Sequence, residues 1–155
     1  MRSTNSLTFF EYQLPVLIWL MTNFWFSTDA FSANQTSTII VPALVFFFPT
    51  LEAHPEQIDF WHMFIRKCGH ITEYFILAML TFRSFSNEGI DPVDTKLKTM
   101  TFVLVAALLD EWHQSFTFSR GPSILDVGYD CSGGVLALCL ITAYETWHLR
   151  SHSIL

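Results

Sequence analysis

Between Leu108 and Gly134 the chain reads LLDEWHQSFTFSRGPSILDVGYDCSGG. The apolar run FVLVAALL leads straight into Asp110, Glu111, His113 and Gln114. Asp126 and Asp130 then open a second apolar run, GGVLALCLITAY. Four carboxylates and an arginine, Arg120, therefore sit between two stretches suited to lipid. A charge at the centre of a membrane-spanning helix costs about 2.5–3.5 kcal/mol on insertion scales. Such residues face the interior of a bundle, pair with one another and mark a functional pathway. This block constrains the fold more than any other feature: the helices carrying it must turn their polar ends toward each other.

Composition points the same way. The 155 residues suit one domain, read as 1–155. They are 51% hydrophobic, with 16 Phe and 5 Trp, and only 14% charged, against about 25% in a soluble domain. The formal net charge of −6 gives a nucleic-acid partner no electrostatic support. Cys68, Cys131 and Cys139 lack C-x-x-C spacing and lie in apolar context, which predicts buried free thiols.

Four segments are predicted to span a membrane, at about residues 9–28, 61–85, 98–118 and 123–147. The first, with Ala30 and Ser32 beyond it, also admits a cleaved signal peptide. The run TIIVPALVFFFPTL, 38–51, is short and contains Pro42 and Pro49, so it is expected to lie at the interface or re-enter. EAHPEQIDFWH reads as a polar linker, RSFSNEGIDPVDTKLK as a helix-breaking loop, and RSHSIL as a polar tail. The expected fold is an all-α, polytopic membrane helix bundle.

Four spans place both termini on one side, with Arg2, Arg83, Lys96, Lys98 and Arg150; Arg66, Lys67 and Arg120 fall on the other. The positive-inside rule then puts the termini in the cytoplasm. Lys67 and His70 start the second span, Asp110, Glu111 and Gln114 end the third, and Asp126 and Asp130 start the fourth, so all meet at the outer face. Lys67, His70 and Tyr74 share a helix stripe. Asp110 shares one with His113 and Gln114, and Asp126 pairs with Asp130 at i, i+4. At about 1.5 Å per residue, Asp130 lies roughly 10 Å beyond the Pro122 turn. Gly133 and Gly134 follow one turn on, where small side chains allow close helix approach.

These residues resemble the VanZ-like membrane proteins. KCGHITEYFILAML followed by LLDEWHQSFTFSRGPSILDVGYDCSGG fits that family's pattern at Lys67, His70, Tyr74, Asp110, Glu111, Gln114, Arg120, Asp126, Asp130 and Gly133. WFSTDAFSANQTS is similar to the segment after the family's first span, and the likeness covers roughly 24–140. Asp130 departs from the pattern, since many members have Asn there. The resemblance implies a multi-pass protein of the bacterial cytoplasmic membrane. It also implies a link to teicoplanin resistance, a glycopeptide that acts on cell-wall precursors outside the membrane.

Three mechanisms remain open. In the first, an outward-facing site binds or processes a phosphorylated amphiphilic lipid or lipid-linked envelope precursor. Lys67, Tyr74, Gln114, Arg120 and Asp130 would hold the ligand, and His70, Asp110, Glu111 and Asp126 would supply acid–base chemistry. In the second, Asp110, Glu111, Asp126, Asp130 and His70 serve a metal-dependent hydrolase. No H-E-x-x-H spacing supports that reading and two nearby cations oppose it, so no metal ligand is assigned and the cofactor is unknown. In the third, the protein is structural or regulatory, or a transporter, and the charges fix helix packing. Ser115, Ser119 and Ser132 lie in no nucleophile elbow.

Overall fold

A computed structural model describes residues 6–117 and 122–152. The described residues form an all-α structure without strands. Helix α1, Leu14–Phe26, is preceded by a helical turn at Ser6–Thr8 and a wider π turn at Phe9–Gln13. Helices α2, Ala33–Phe47, α3, Pro55–Ser86, α4, Pro92–Gln114, and α5, Ile124–His152, follow in order.

Prolines set most of the boundaries. The residue before a proline is pushed out of the helical region, while proline itself suits the first helical turn. Phe48 ends α2 at φ −132° before Pro49, and His54 takes φ −133° before Pro55 opens α3. Asp91 precedes Pro92, and its side chain accepts a hydrogen bond from Val93 N at 2.8 Å, capping α4. Gly89, at φ 73°, makes the turn between α3 and α4.

Several boundaries depart from the sequence expectation. EAHPEQIDFWH is not a linker: from Pro55 it forms the first turns of α3, which runs for 32 residues. Lys67 and His70 therefore lie in the middle of α3, not at its start. The 38–51 run belongs to a helix that begins earlier, at Ala33, capped by Ser32. Pro42 removes one backbone bond without ending α2. Two helical stretches among the described residues, Asp29–Phe47 and Ile124–Ser151, are long and apolar enough to cross a membrane. That set includes the segment expected to re-enter. It omits three of the four expected spans: α1, which runs for 13 residues, and the regions of α3 and α4, which carry charge within their length.

Helix α3 packs most extensively on α5, and α4 packs on both. Trp19 of α1 donates to Glu73 O of α3 at 2.8 Å. The α3–α5 approach depends on glycine. A Cβ on Gly133 would land on the carbonyl oxygen of Ile71 and lie 2.9 Å from Phe75 N, both backbone atoms of α3. A Cβ on Gly134 would meet α4 instead, at Val103 Cγ1, 2.9 Å away. Tyr74, Leu77, Ala78, Val103, Ala106, Ala107 and Ala137 fill the core between the three helices.

Polar side chains are buried beside this apolar core, and many large apolar ones face outward. Asn23, Ser27, Thr81, Thr95, Thr99, Asp110, Glu111, Gln114 and Asp130 are buried. Met21, Ile39, Phe46, Trp112, Leu136, Leu140 and many other large apolar side chains face outward. Cys68 and Cys139 also lie on exposed positions and Cys131 is half-buried, which corrects the expectation of three buried thiols; all three are free. An apolar helix surface explains their sequence context as well as a core does.

Candidate functional site

Three helices deliver the polar cluster. From α3 come Lys67 and His70, one turn apart and turned toward α5. From the last turn of α4 come Asp110, Glu111 and Gln114. From the first two turns of α5 come Asp126 and Asp130. The parallel packing of α3 and α5 sets the register: Lys67 forms an ion pair with Asp126, and one turn further His70 Nδ1 lies 3.2 Å from Asp130 Oδ1. The His70 side chain is 13% exposed and that of Asp130 is 0% exposed.

The α4 residues divide their tasks. Gln114 Nε2 donates to Asp110 Oδ2 at 2.8 Å, which fixes the carboxylate one turn below it. Glu111 Oε2 accepts from Ser123 N at 2.6 Å and so holds the start of α5. His70, Asp110 and Asp130 each offer one ligand atom within 4.8 Å of the others. His113 lies to the side, edge-on to Phe24 of α1 with ring centroids 5.7 Å apart.

The structure thus brings together Lys67, His70, Asp110, Glu111, Gln114, Asp126 and Asp130. Tyr74, one turn beyond His70 on α3, is buried in the apolar core that adjoins them. Arg120, predicted to bind ligand, lies outside the described residues.

A cleft of about 270 Å³ opens beside the cluster. Phe26, Phe31, Ile40 and Ile65 form its apolar walls, and Arg66, His70 and Glu73 form its polar end. Arg66 Nη1 donates to Phe31 O at 2.8 Å and to Thr36 Oγ1 at 2.9 Å, and Thr36 Oγ1 also lies 3.1 Å from His62 Nε2. Sequence reasoning used Arg66 only for orientation. Its spacing of four residues before His70 was the available signal. Asn23 was also missed; it is buried on the inner face of α1, and neither amide atom has a hydrogen-bond partner among the described residues. Its signal was a lone amide within the run WLMTNFWF.

An apolar-surfaced helix bundle with an ionic cluster at the junction of three helices is the class of protein these features define. The chain belongs to the VanZ/LLP1 family, whose model matches residues 12–145. No match to the chain is found among curated proteins, and none among solved structures.

Proposed function

We propose that this chain is a multi-pass protein of the bacterial cytoplasmic membrane that binds the phosphorylated head of an amphiphilic lipid or lipid-linked envelope precursor. The observation that carries this reading is the cleft: its walls are aromatic and aliphatic, and it meets the ionic cluster at His70. An acyl or prenyl chain suits the walls. A phosphate suits Arg66 at the polar end of the cleft, by guanidinium fork, and Lys67 of the adjoining cluster, by point charge; the sequence pattern adds Arg120. The outward apolar faces support a lipid surround, because water-soluble monomers rarely expose large contiguous apolar patches.

In this reading α1, α3, α4 and α5 cross the membrane. The polar groups that α3 and α4 carry into the bundle, at Lys67, His70, Asp110 and Glu111, are half-buried or buried, away from the lipid this reading assigns. The end opposite the cluster carries the pairs Arg83–Glu11, at 3.5 Å, and Lys96–Glu145, at 2.6 Å. Excess basic residues there favour a cytoplasmic position for that end and an outward position for the cluster. A role in glycopeptide resistance would follow from access to envelope precursors on that outer side.

Native mass spectrometry of the full chain, gently extracted, tests the proposal with wild type beside Arg120→Ala. The expected result is a co-purified phospholipid or polyprenyl phosphate on the wild type that is lost from the variant. A second reading draws on the ties Lys67–Asp126 and Glu111–Ser123, which lock α3, α4 and α5 together. On that reading neither protein carries lipid, and Arg120→Ala only loses thermal stability in detergent.

A further inference from the structure

The carboxylate of Asp130 presents a problem that the lipid reading leaves unsolved. It is fully buried, and neither oxygen accepts a hydrogen bond from any described residue. A buried, unsatisfied carboxylate costs several kcal/mol unless a cation or donors compensate it. His70 Nδ1 lies 3.2 Å from Asp130 Oδ1, an ion pair when the imidazole is protonated, and Oδ2 has no partner among the described residues. With a neutral imidazole, two facing atoms at that separation match neighbouring ligands on one centre. With metal–ligand bonds of about 2.0–2.2 Å, adjacent ligand atoms lie about 3.0–3.5 Å apart.

The third ligand comes from α4. One ligand atom each of His70, Asp110 and Asp130 lies within 4.8 Å of the other two. Gln114 holds the Asp110 carboxylate from outside that group, as partners around a metal site orient its ligands. Lys67, the described cation nearest in sequence to His70, does not oppose a second cation, because Asp126 neutralises it. Glu111 is engaged at Ser123 N and stands outside the set.

We propose that His70, Asp110 and Asp130 bind a single divalent transition-metal ion at the junction of α3, α4 and α5. Two carboxylates balance its charge, and the mixed nitrogen and oxygen set suits Zn²⁺, Mn²⁺ or Fe²⁺. Helix bundles build such centres from inward-facing residues of adjacent helices. Three protein ligands leave coordination positions open. The site does not rest on the lipid reading.

The test is Mn²⁺ titration of the full chain in detergent after chelator treatment, followed by the loss of the free-ion electron paramagnetic resonance signal. Wild type and Asp94→Asn, an exposed carboxylate at the far end of α4, are expected to bind one ion per chain. Asp130→Asn and His70→Gln are expected to bind roughly a hundred-fold more weakly, beyond or at the top of what loss of a supporting partner costs. Two such variants are used so that one remains informative if the other elutes as an aggregate. Wild type without stoichiometric binding overturns the proposal, as does binding unchanged in a folded Asp130→Asn or His70→Gln. Lipid retained on a wild type that takes up no Mn²⁺ overturns the metal site and leaves the lipid site standing. Mn²⁺ bound in a protein without lipid supports the metal site alone.

Discussion

Lys67 and Asp126 join the middle of α3 to the first turn of α5, and both side chains are only partly exposed. Lys67→Met leaves Asp126 without its cation and should lower stability by about 1–3 kcal/mol, read as the melting temperature in detergent. Adding Asp126→Leu should recover most of that loss, since apolar replacement of both partners of an interior pair is often neutral. Lipid retention should not recover, because the phosphate partner is gone. If lipid returns together with stability, Lys67 has no part in the head-group site. A second substitution separates core from site. Tyr74→Phe removes only a hydroxyl from a residue packed among Leu77, Ala78 and Val103, and should leave lipid retention within about two-fold of wild type, on the order of 0.4 kcal/mol. The grouping of Lys67, His70, Asp110, Asp126 and Asp130 was legible from helical spacing. Spacing alone could not show that Tyr74 turns into the core, because one stripe of α3 contacts both the cluster and the apolar layer beneath it.

Helix α5 touches two neighbours through two adjacent glycines. Gly133→Ala sets a methyl group against the backbone of α3, which cannot move without shifting the helix. The expected loss is about 1–3 kcal/mol, with disturbed His70–Asp130 and Lys67–Asp126 contacts one and two turns away. Gly134→Ala meets the side chains of Val103 and Met100, and Met100 can adapt, so thermal denaturation should show a smaller loss there. Equal melting temperatures for the two variants would contradict the close α3–α5 approach. The small-residue step was legible in the sequence, but not its two-sided use. The helix starts were less legible. Pro55 and Pro92 were read as parts of linkers and loops, whereas each occupies the first turn of a helix. Polar residues in those turns hide the helical signal, because an exposed helix end has no apolar stripe to reveal it.

At the scale of the whole molecule, α3 is the element that organises the rest. Its 32 residues span about 48 Å, against roughly 30 Å for a hydrocarbon core. The cluster lies near its midpoint, and its first half pairs with α2 through contacts such as Thr36–Arg66. Orientation can be read by labelling single cysteines on intact cells after Cys68, Cys131 and Cys139 are replaced by Ser. An impermeant maleimide should label Glu56→Cys, before the cluster in α3, and not Glu88→Cys, in the turn beyond it. The opposite pattern would place the cluster on the cytoplasmic side. The length of α3 was not legible because charge and aromatic residues alternate through its first turns, and a hydropathy average treats that mixture as a linker.

The cleft beside His70 opens between α1, α2 and α3, at the flank of α3 and not at the tip of a helix. For a chain held in a bilayer, such an opening faces neighbouring molecules in two dimensions. Occupancy would then follow the mole fraction of the ligand in the membrane, not its bulk concentration. Diluting vesicles would leave the bound fraction unchanged, while blending in an inert lipid would titrate it away.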